Sequence, residues 1–130
     1  MLNILYKTSL FSYETRLTKF LGGMIATFTG NREIGLCNDK SMPIGFFMHD
    51  YIPYIPTIAS IAIGQGEYQT NIFETDTIYK INDLLYCSQN GLISNNTMYR
   101  NNIIVGIVNF VSSDIIGFIT CFSNLESLNK

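Results

Sequence analysis

The side chains that most often carry catalysis are few and scattered in this chain. His49 is the only histidine, and Asp50 follows it directly. Neighbouring side chains on a β-strand point to opposite faces, so these two do not form a relay within one strand. A Ser-His-Asp or Cys-His relay assembled from distant segments stays open, although the sequence has neither a Gly-x-Ser-x-Gly elbow nor a catalytic cysteine signature. We therefore expect His49 to be a polar residue at a strand end and the protein not to be an enzyme.

The side chains that could bind a metal ion are poorly spaced. Cys37, Cys87 and Cys121 lie far apart, and none joins His49 at the short separations of structural zinc sites. An odd number of cysteines in apolar stretches is typical of buried, reduced thiols in a chain that folds in a reducing cytoplasm. We expect no disulfide bond, no metal and no cofactor.

Two further patterns fall short of a site. The ten acidic residues are scattered, and Glu74 and Asp76 at best share one strand face. The sequence therefore nominates no carboxylate pair for acid–base chemistry. Residues 64–66, Gly-Gln-Gly, are not a phosphate loop, because neither Lys-Ser/Thr nor a helix follows them. A hairpin turn is the better interpretation.

Composition limits the class of protein. A chain of 130 residues is expected to form one domain with a real core. Hydrophobic residues make up 47% of the chain and charged residues 14%, which is the reverse of a disordered composition and unlike a coiled coil. A net charge of −2 and a pI near 5.2 predict no nucleic-acid partner, since that would call for a basic surface.

The elements that must position any site are predicted to be strands. β-Branched and aromatic residues favour a pleated, half-buried surface, and turn signals separate the apolar runs at 22–23, 30–31, 38–39, 64–66, 90–91 and 95–96. This spacing predicts an all-β fold, a small single-domain β-barrel or β-sandwich built from hairpins. We place this domain at 22–130 and an N-terminal arm or edge strand at 1–21.

Two hairpins are predicted. Asn90-Gly91 lies between short apolar runs and supplies the two positive-φ residues that a tight turn requires. The glycines of 64–66 would join a strand over 57–63 to a strand over 67–73, in which apolar and polar residues alternate.

Three segments allow more than one interpretation. Glu14–Leu21 has helical spacing of its apolar residues, but the segment is short, and an extended arm fits it equally well. Residues 51–56, with two prolines, predict an irregular or polyproline-like connection. Residues 103–122 have the length of a membrane span, but the polar, aspartate-containing turn at 112–114 favours two buried strands instead.

The chain contains a possible internal duplication. Residues 24–47 and 84–108 each read as a strand, a tight turn, a strand, a polar insertion and a strand that contains glycine. Glycine inside a strand usually marks a bulge, a barrel corner or a close backbone approach. Gly45, Gly106 and Gly117 therefore favour a tightly curved barrel over a flat sheet.

A series of strand and turn segments carries a resemblance to known proteins. The segments are 64–70, Phe73, 82–86, 90–93, 105–108 and 116–118. Together they resemble small β-rich virion proteins of tailed bacteriophages, of the capsid-associated decoration type, over roughly residues 22–122. Asn82 stands where that group often has glycine. The resemblance implies a structural, oligomeric role on a virus particle assembled in the host cytoplasm, with other virion proteins as partners and no active site.

The low charge predicts an assembly. Eight basic and ten acidic residues are few for a soluble monomer, and the apolar N-terminal residues are too many to leave in water. We expect a homo-oligomer or particle interface formed by Leu2, Ile4, Leu5, Tyr6, Phe11, Tyr13, Tyr51, Ile52, Tyr54 and Ile55. If the N-terminal segment is an arm, a chain without residues 1–13 still folds but does not assemble. If residues 2–6 are an internal strand, it unfolds.

Two other functions stay open at this point. The first is a tail- or fibre-associated barrel that binds a receptor or carbohydrate, in which Tyr51 and Tyr54 form an aromatic platform. The second is a small hydrolase or isomerase with a barrel cavity, in which His49 would have a role. No membrane partner is expected.

Overall fold

The fold is built almost entirely from β-strands. The computed structural model describes residues 1–6, 9–100 and 103–123. Within them the chain forms no α-helix, so the helix considered for 14–21 is wrong, and the predicted all-β class is confirmed. The strands are β1 Leu2–Tyr6, β2 Ser9–Thr15, β3 Ile25–Gly30, β4 Glu33–Leu36, β5 Gly45–Phe47, β6 Ile58–Ile63, β7 Glu67–Thr70, β8 Leu84–Cys87, β9 Ile93–Ser94, β10 Ile104–Val111 and β11 Ile116–Ser123, with a 3₁₀ turn at Thr97–Tyr99.

The strands form a barrel and a sheet. The order β2-β4-β3-β5-β6 closes into a small barrel, because β2 pairs in parallel with β4 on one side and antiparallel with β6 on the other. The remaining strands form a six-stranded sheet in the order β1-β7-β11-β10-β8-β9. The sequence left barrel and sandwich open, and the molecule combines a closed barrel with a second, packed sheet.

Both sheets repeat one strand arrangement. We call β2–β6 (Ser9–Ile63) the N-terminal half and β7–β11 (Glu67–Ser123) the C-terminal half. Their spatial orders are β4-β3-β5-β6-β2 and β9-β8-β10-β11-β7, with antiparallel neighbours throughout. β1 has no counterpart and pairs with β7 at the edge of the sheet. The topology therefore carries the internal duplication that the sequence suggested.

Two of the strand glycines occupy equivalent positions in the halves. A β-carbon at Gly45 would lie against the carbonyl oxygen of Ala62, and a β-carbon at Gly106 would lie 3.0 Å from the carbonyl oxygen of Ile119. Ala62 and Ile119 are themselves equivalent, on β6 and β11. Gly117 lies beside a β-bulge in β10. These glycines mark close approach and bulging, as the sequence predicted, but only Gly45 lies in the closed barrel, whereas Gly106 and Gly117 lie in the six-stranded sheet.

The hairpin predicted at Asn90-Gly91 joins β8 to β9. The Ser88 N–H donates to the Leu92 carbonyl at 2.9 Å, and the Gly91 N–H donates to the Ser88 carbonyl at 3.2 Å, which defines a three-residue loop. Of the two turn residues only Gly91 has a positive φ, 76°, so the expected pair of positive-φ residues is wrong. A loop of three residues needs the left-handed conformation at its last position alone.

The hairpin predicted at residues 64–66 is wrong. β6 pairs with β2 and β5, whereas β7 pairs with β1 and β11, so the two strands lie in different sheets. The segment is a crossover between the halves, with Gly64 at a φ of 94°. The turn signal was real, but distant strands decide which partner each flanking strand takes.

The N-terminal residues form strands in both sheets. β1 pairs with β7, with Leu2 opposite Thr70 and a register shift between Ile4 and Tyr6, and β2 pairs with β6, with Ser9 opposite Ile63. β1 is an edge strand, whereas β2 is one of the five strands of the closed barrel. The segment thus ties the two halves together.

Residues 103–122 follow the prediction of two strands and a turn. β10 and β11 pair with each other, and the Ser112 N–H donates to the Ile115 carbonyl at 2.9 Å across the turn. In the part of the chain that the structure describes, no helix has the length and apolarity needed to cross a membrane.

The apolar core has two main parts. We call the strand face that lines the barrel interior the inner face of the N-terminal half, and the strand face that packs on the barrel the inner face of the C-terminal half. The barrel interior holds Phe20, Ala26, Ile34, Phe47, Ala59 and Ile61. The larger core lies between the halves. There Phe46, on the outer face of the barrel, packs against Phe118 and Tyr68 on the inner face of the C-terminal half, with ring centroids 5.3 and 5.7 Å away.

Candidate functional site

His49 has a structural setting. Its Nε2 accepts the Ser60 N–H at 3.2 Å, so its Nδ1–H donates to the Asp50 carbonyl at 2.8 Å. The Asp50 carboxylate instead accepts the Gly22 N–H at 2.9 Å. The imidazole also packs against Phe20. Backbone groups hold both ring nitrogens, so the imidazole fixes the end of β5 to β6 and is not aimed at a reacting group.

None of the three cysteines, all of which lie in the described part of the chain, forms a disulfide bond. The prediction of burial is confirmed for Cys37 and Cys87, whereas Cys121 is half-buried. A hydrogen bond with Cys37, together with burial, raises the pKa of the Cys87 thiol. A thiol held protonated in an apolar core is a poor nucleophile. Across residues 1–6, 9–100 and 103–123, no three His, Cys, Asp or Glu side chains cluster as metal ligands would.

A surface groove of about 680 Å³ lies beside the β10–β11 turn. Tyr79 and Asp114 line it. The Tyr79 hydroxyl donates to the Glu74 carbonyl at 2.7 Å, and burial raises its pKa to about 12. Asp114 is exposed. The hydrogen-bonded Tyr79 phenol, with its raised pKa, and the exposed Asp114 carboxylate do not make an acid–base pair at neutral pH.

A row of mostly apolar side chains crosses the outer face of the six-stranded sheet. Cross-strand register places five residues side by side: Tyr6, Glu67, Ile119, Ile107 and Leu84. Tyr6 is 68% exposed and Ile119 is 45% exposed, while Ile107 and Leu84 are half-buried. We call these five residues the outer row.

The equivalent row of the N-terminal half is largely covered. Its members, in the same strand order, are Leu10, Ala62, Phe46 and Ile25. Ala62, Phe46 and Ile25 are buried in the core between the halves. The C-terminal half therefore leaves uncovered the surface through which the N-terminal half packs.

The ten residues predicted as an interface fall into two groups. Five are exposed, namely Leu5, Tyr6, Phe11, Tyr54 and Ile55, and five are half or fully buried, namely Leu2, Ile4, Tyr13, Tyr51 and Ile52. Leu2 belongs to the core between the halves, and Tyr51 packs against Phe20 at 6.1 Å. Tyr51 and Tyr54 therefore do not form a shared exposed platform.

Sequence reasoning missed most of the outer row. It named Tyr6 but placed Ile107 and Ile119 in two buried strands, because an apolar residue in a strand gives no sign of how much of it a neighbour covers. The alternation of Glu67 with Tyr68 was visible, and it correctly separates an outer from an inner face.

A second surface feature surrounds the β3–β4 turn. The Tyr13 ring stacks near Phe11 at 6.4 Å and meets Phe28 edge-on at 5.2 Å, and the Arg32 guanidinium carbon lies 6.0 Å from the Tyr13 centroid. Phe11 and Phe28 are each 47% exposed. Of these three rings only Tyr13 lines the adjoining cleft of about 390 Å³, whose other lining residues are Ser12, Glu14, Asn31, Arg32 and Ile58. We call the aromatic rings and this space together the aromatic cleft.

No protein-family model and no curated protein sequence matches the chain.

Proposed function

We propose that the chain is a non-enzymatic structural subunit of a virus particle, bound to its neighbours as an oligomer. The observation that carries this proposal is the outer row, which crosses five strands and contains four apolar residues. A contiguous apolar surface on a soluble protein marks an interaction site. The resemblance to capsid-associated proteins of tailed bacteriophages supports a virion as its setting.

The one charge in the outer row already has a hydrogen-bond partner within the chain. The Glu67 carboxylate accepts a hydrogen bond from the Asn109 amide at 2.9 Å. A carboxylate that already has a partner costs less to cover than an unpaired one, because the remaining desolvation penalty is partly compensated. A neighbouring subunit can therefore cover Tyr6 and Ile119 while Glu67 keeps this hydrogen bond, and the charge itself needs a donor or a cation on the neighbour.

The edge of the sheet supports the same proposal. The outer row ends at β1, the edge strand, and residues 2–6 contain no charged side chain. Exposed edges in monomeric proteins are commonly protected by lysine, proline or inward-pointing charge. An edge with none of these residues suits a strand that is covered by a neighbour.

The mass of the purified protein in solution tests whether it assembles into an oligomer. We expect light scattering on a sizing column to give an oligomer for the wild type and a monomer for Ile119→Asp, with an unchanged melting temperature. Ile78→Asp is the matched control, since Ile78 is 81% exposed but lies outside the outer row; it should still assemble. A monomeric wild type, or an Ile119→Asp variant that assembles normally, would contradict the proposal.

The virion setting needs a separate measurement. Mass spectrometry of gradient-purified particles from the source of the gene should detect the chain at a stoichiometry comparable with other structural subunits. Its absence from the particles would remove the virion role, even if the oligomer forms.

A further inference from the structure

The β3–β4 and β8–β9 turns are equivalent, but they differ at one backbone position. In each turn an asparagine precedes a residue of positive φ, which lies two positions before the isoleucine that pairs with the preceding strand. In the C-terminal half this residue is Gly91, with φ of 76°, and in the N-terminal half it is Arg32, with φ of 55°. An arginine in the left-handed region is uncommon and strained. In this conformation the Arg32 guanidinium carbon lies 6.0 Å from the centroid of the Tyr13 ring.

The N-terminal half covers the C-terminal turn. The Gly91 carbonyl accepts the Ile25 N–H at 2.9 Å, and a β-carbon at Gly91 would lie 2.6 Å from the Leu36 side chain. At the equivalent position the N-terminal turn has the Arg32 side chain, which a contact of the same kind would have to accommodate. The equivalent surface therefore differs at the point where the internal contact is made.

Equivalent residues near the two turns also differ in residue type and in exposure. Phe11 is equivalent to Tyr68, and Phe28 is equivalent to Cys87. Tyr68 and Cys87 are fully buried under the N-terminal half, whereas Phe11 and Phe28 are 47% exposed. The N-terminal half thus keeps aromatic faces and a cation at a surface that its counterpart covers with protein.

We propose that the aromatic cleft binds a neutral carbohydrate. A sugar ring has an apolar C–H face, which stacks on an aromatic ring, and a rim of hydroxyl groups. Asn31, Glu14 and Arg32 line the cleft and offer amide, carboxylate and guanidinium groups for those hydroxyls. The cleft volume of about 390 Å³ lies in the range of small-molecule sites. This site is separate from the outer row and does not depend on assembly.

Local charge favours a neutral ligand over a polyanion. Glu14 balances Arg32 within the cleft, and the nearby Glu33 pairs with Arg16 at 3.3 Å. Nucleic acids and sulfated glycans need an excess of positive charge to replace their counterions. The cleft has no such excess, so aromatic stacking here suits a sugar better than a nucleotide chain.

A glycan array with neutral, sialylated and sulfated members is the first experiment, with a proline-rich peptide and single-stranded DNA as competing probes. We expect binding to one or more neutral glycans. No glycan binding, or binding confined to sulfated glycans, DNA or the peptide, would overturn the proposal.

Variants then place the ligand. Isothermal titration with the best neutral glycan should show affinity reduced about tenfold in Arg32→Gly and in Phe28→Leu. Arg32→Gly should keep or raise the melting temperature, because glycine suits this φ. Phe110→Leu is the matched control, since Phe110 is 42% exposed in the other half; its affinity should be unchanged. Wild-type affinity in Arg32→Gly, or a lower melting temperature that reveals a purely structural Arg32, would overturn the assignment.

Discussion

The two halves share one strand arrangement, but each buries its inner face in a different way. In the N-terminal half β2 reaches β4, through Glu14 opposite Glu33, and closes a barrel. In the C-terminal half β7 ends at Thr70, and the chain that follows contacts β9 instead, where the Glu74 N–H donates to Ile93. The N-terminal half covers the inner face that remains. Closing a sheet on itself and docking a second sheet on it thus serve the same purpose, which is to remove apolar surface from water.

Removing strands gives the largest expected effect. A chain without residues 1–13 loses β1 and most of β2, so β6 loses a partner and the barrel opens around Ala59 and Ile61, which are fully buried. We expect no cooperative thermal transition in the circular dichroism signal.

A shorter truncation is the control for this prediction. Removing residues 1–6 deletes only β1, the strand without a counterpart, and should leave a folded chain that is less stable by about 2 kcal/mol, the value of burying a leucine. Cooperative melting of the chain that lacks residues 1–13 would restore the interpretation of the N-terminal segment as an assembly arm.

Alanine substitutions at the equivalent strand glycines, Gly45 and Gly106, should reduce stability by different amounts. Gly45→Ala forces a β-carbon against a backbone carbonyl and should cost roughly 3 kcal/mol, whereas Gly106→Ala first meets the Phe118 ring at 2.8 Å and should cost roughly half of that. Gly30→Ala is the control, because its nearest neighbour is 3.7 Å away. Urea denaturation measures the stability of all three variants. Equal losses in all three, the control included, would argue against a close backbone approach at Gly45 and Gly106.

Copying the N-terminal turn into the C-terminal half tests the docking contact. Gly91→Arg should cost roughly 3 kcal/mol, because it adds backbone strain and a clash with Leu36. Gly64→Arg carries similar strain at a φ of 94°, but a β-carbon there meets nothing within 4 Å. The difference between the two free energies of unfolding isolates the contact between halves, and a difference near zero would mean that the turn does not bear on it.

Local features of the fold were readable from the sequence. The hairpin at Asn90-Gly91 follows from residues adjacent in the chain, and the turn between β10 and β11 follows from its polar residues. The crossover at 64–66 was misread because β6 and β7 each choose distant partners. A turn sequence cannot specify such pairing.

The candidate sites were less accessible to sequence reasoning. Phe11 and Tyr13 alternate on one strand, which predicts a shared face, but their meeting with Phe28 depends on barrel closure. The positive φ of Arg32 was hidden, because arginine gives no sign of a left-handed conformation. Tyr54 was correctly expected to be exposed, whereas Tyr51 packs on a loop residue that local pattern does not place beside it.

The connection that fills each half buries one aromatic residue, which is a phenylalanine in the N-terminal half and a tyrosine in the C-terminal half. Between β2 and β3 the buried Phe20 stacks on Phe47 at 4.5 Å. Between β7 and β8 the buried Tyr79 meets Phe73 edge-on at 5.1 Å. Tyr79 can ionise and Phe20 cannot, so alkaline pH should act on the C-terminal half through this group.

The smallest expected effect is therefore a pH dependence that Tyr79→Phe reduces. Burial raises the Tyr79 pKa from 10.0 to about 12, so the native state binds this proton more tightly than the unfolded state. The resulting stability is fully present below pH 10 and is lost as the pH rises towards 12. Urea denaturation across this window should show a shallower loss in Tyr79→Phe than in the wild type. Some loss should remain, because burial also raises the pKa of Tyr86 and Tyr99. At neutral pH the variant should be less stable by about 1 kcal/mol, because the Glu74 carbonyl loses its hydrogen bond. Identical pH profiles for the two proteins would show that Tyr79 ionises as freely in the folded chain as in the unfolded one.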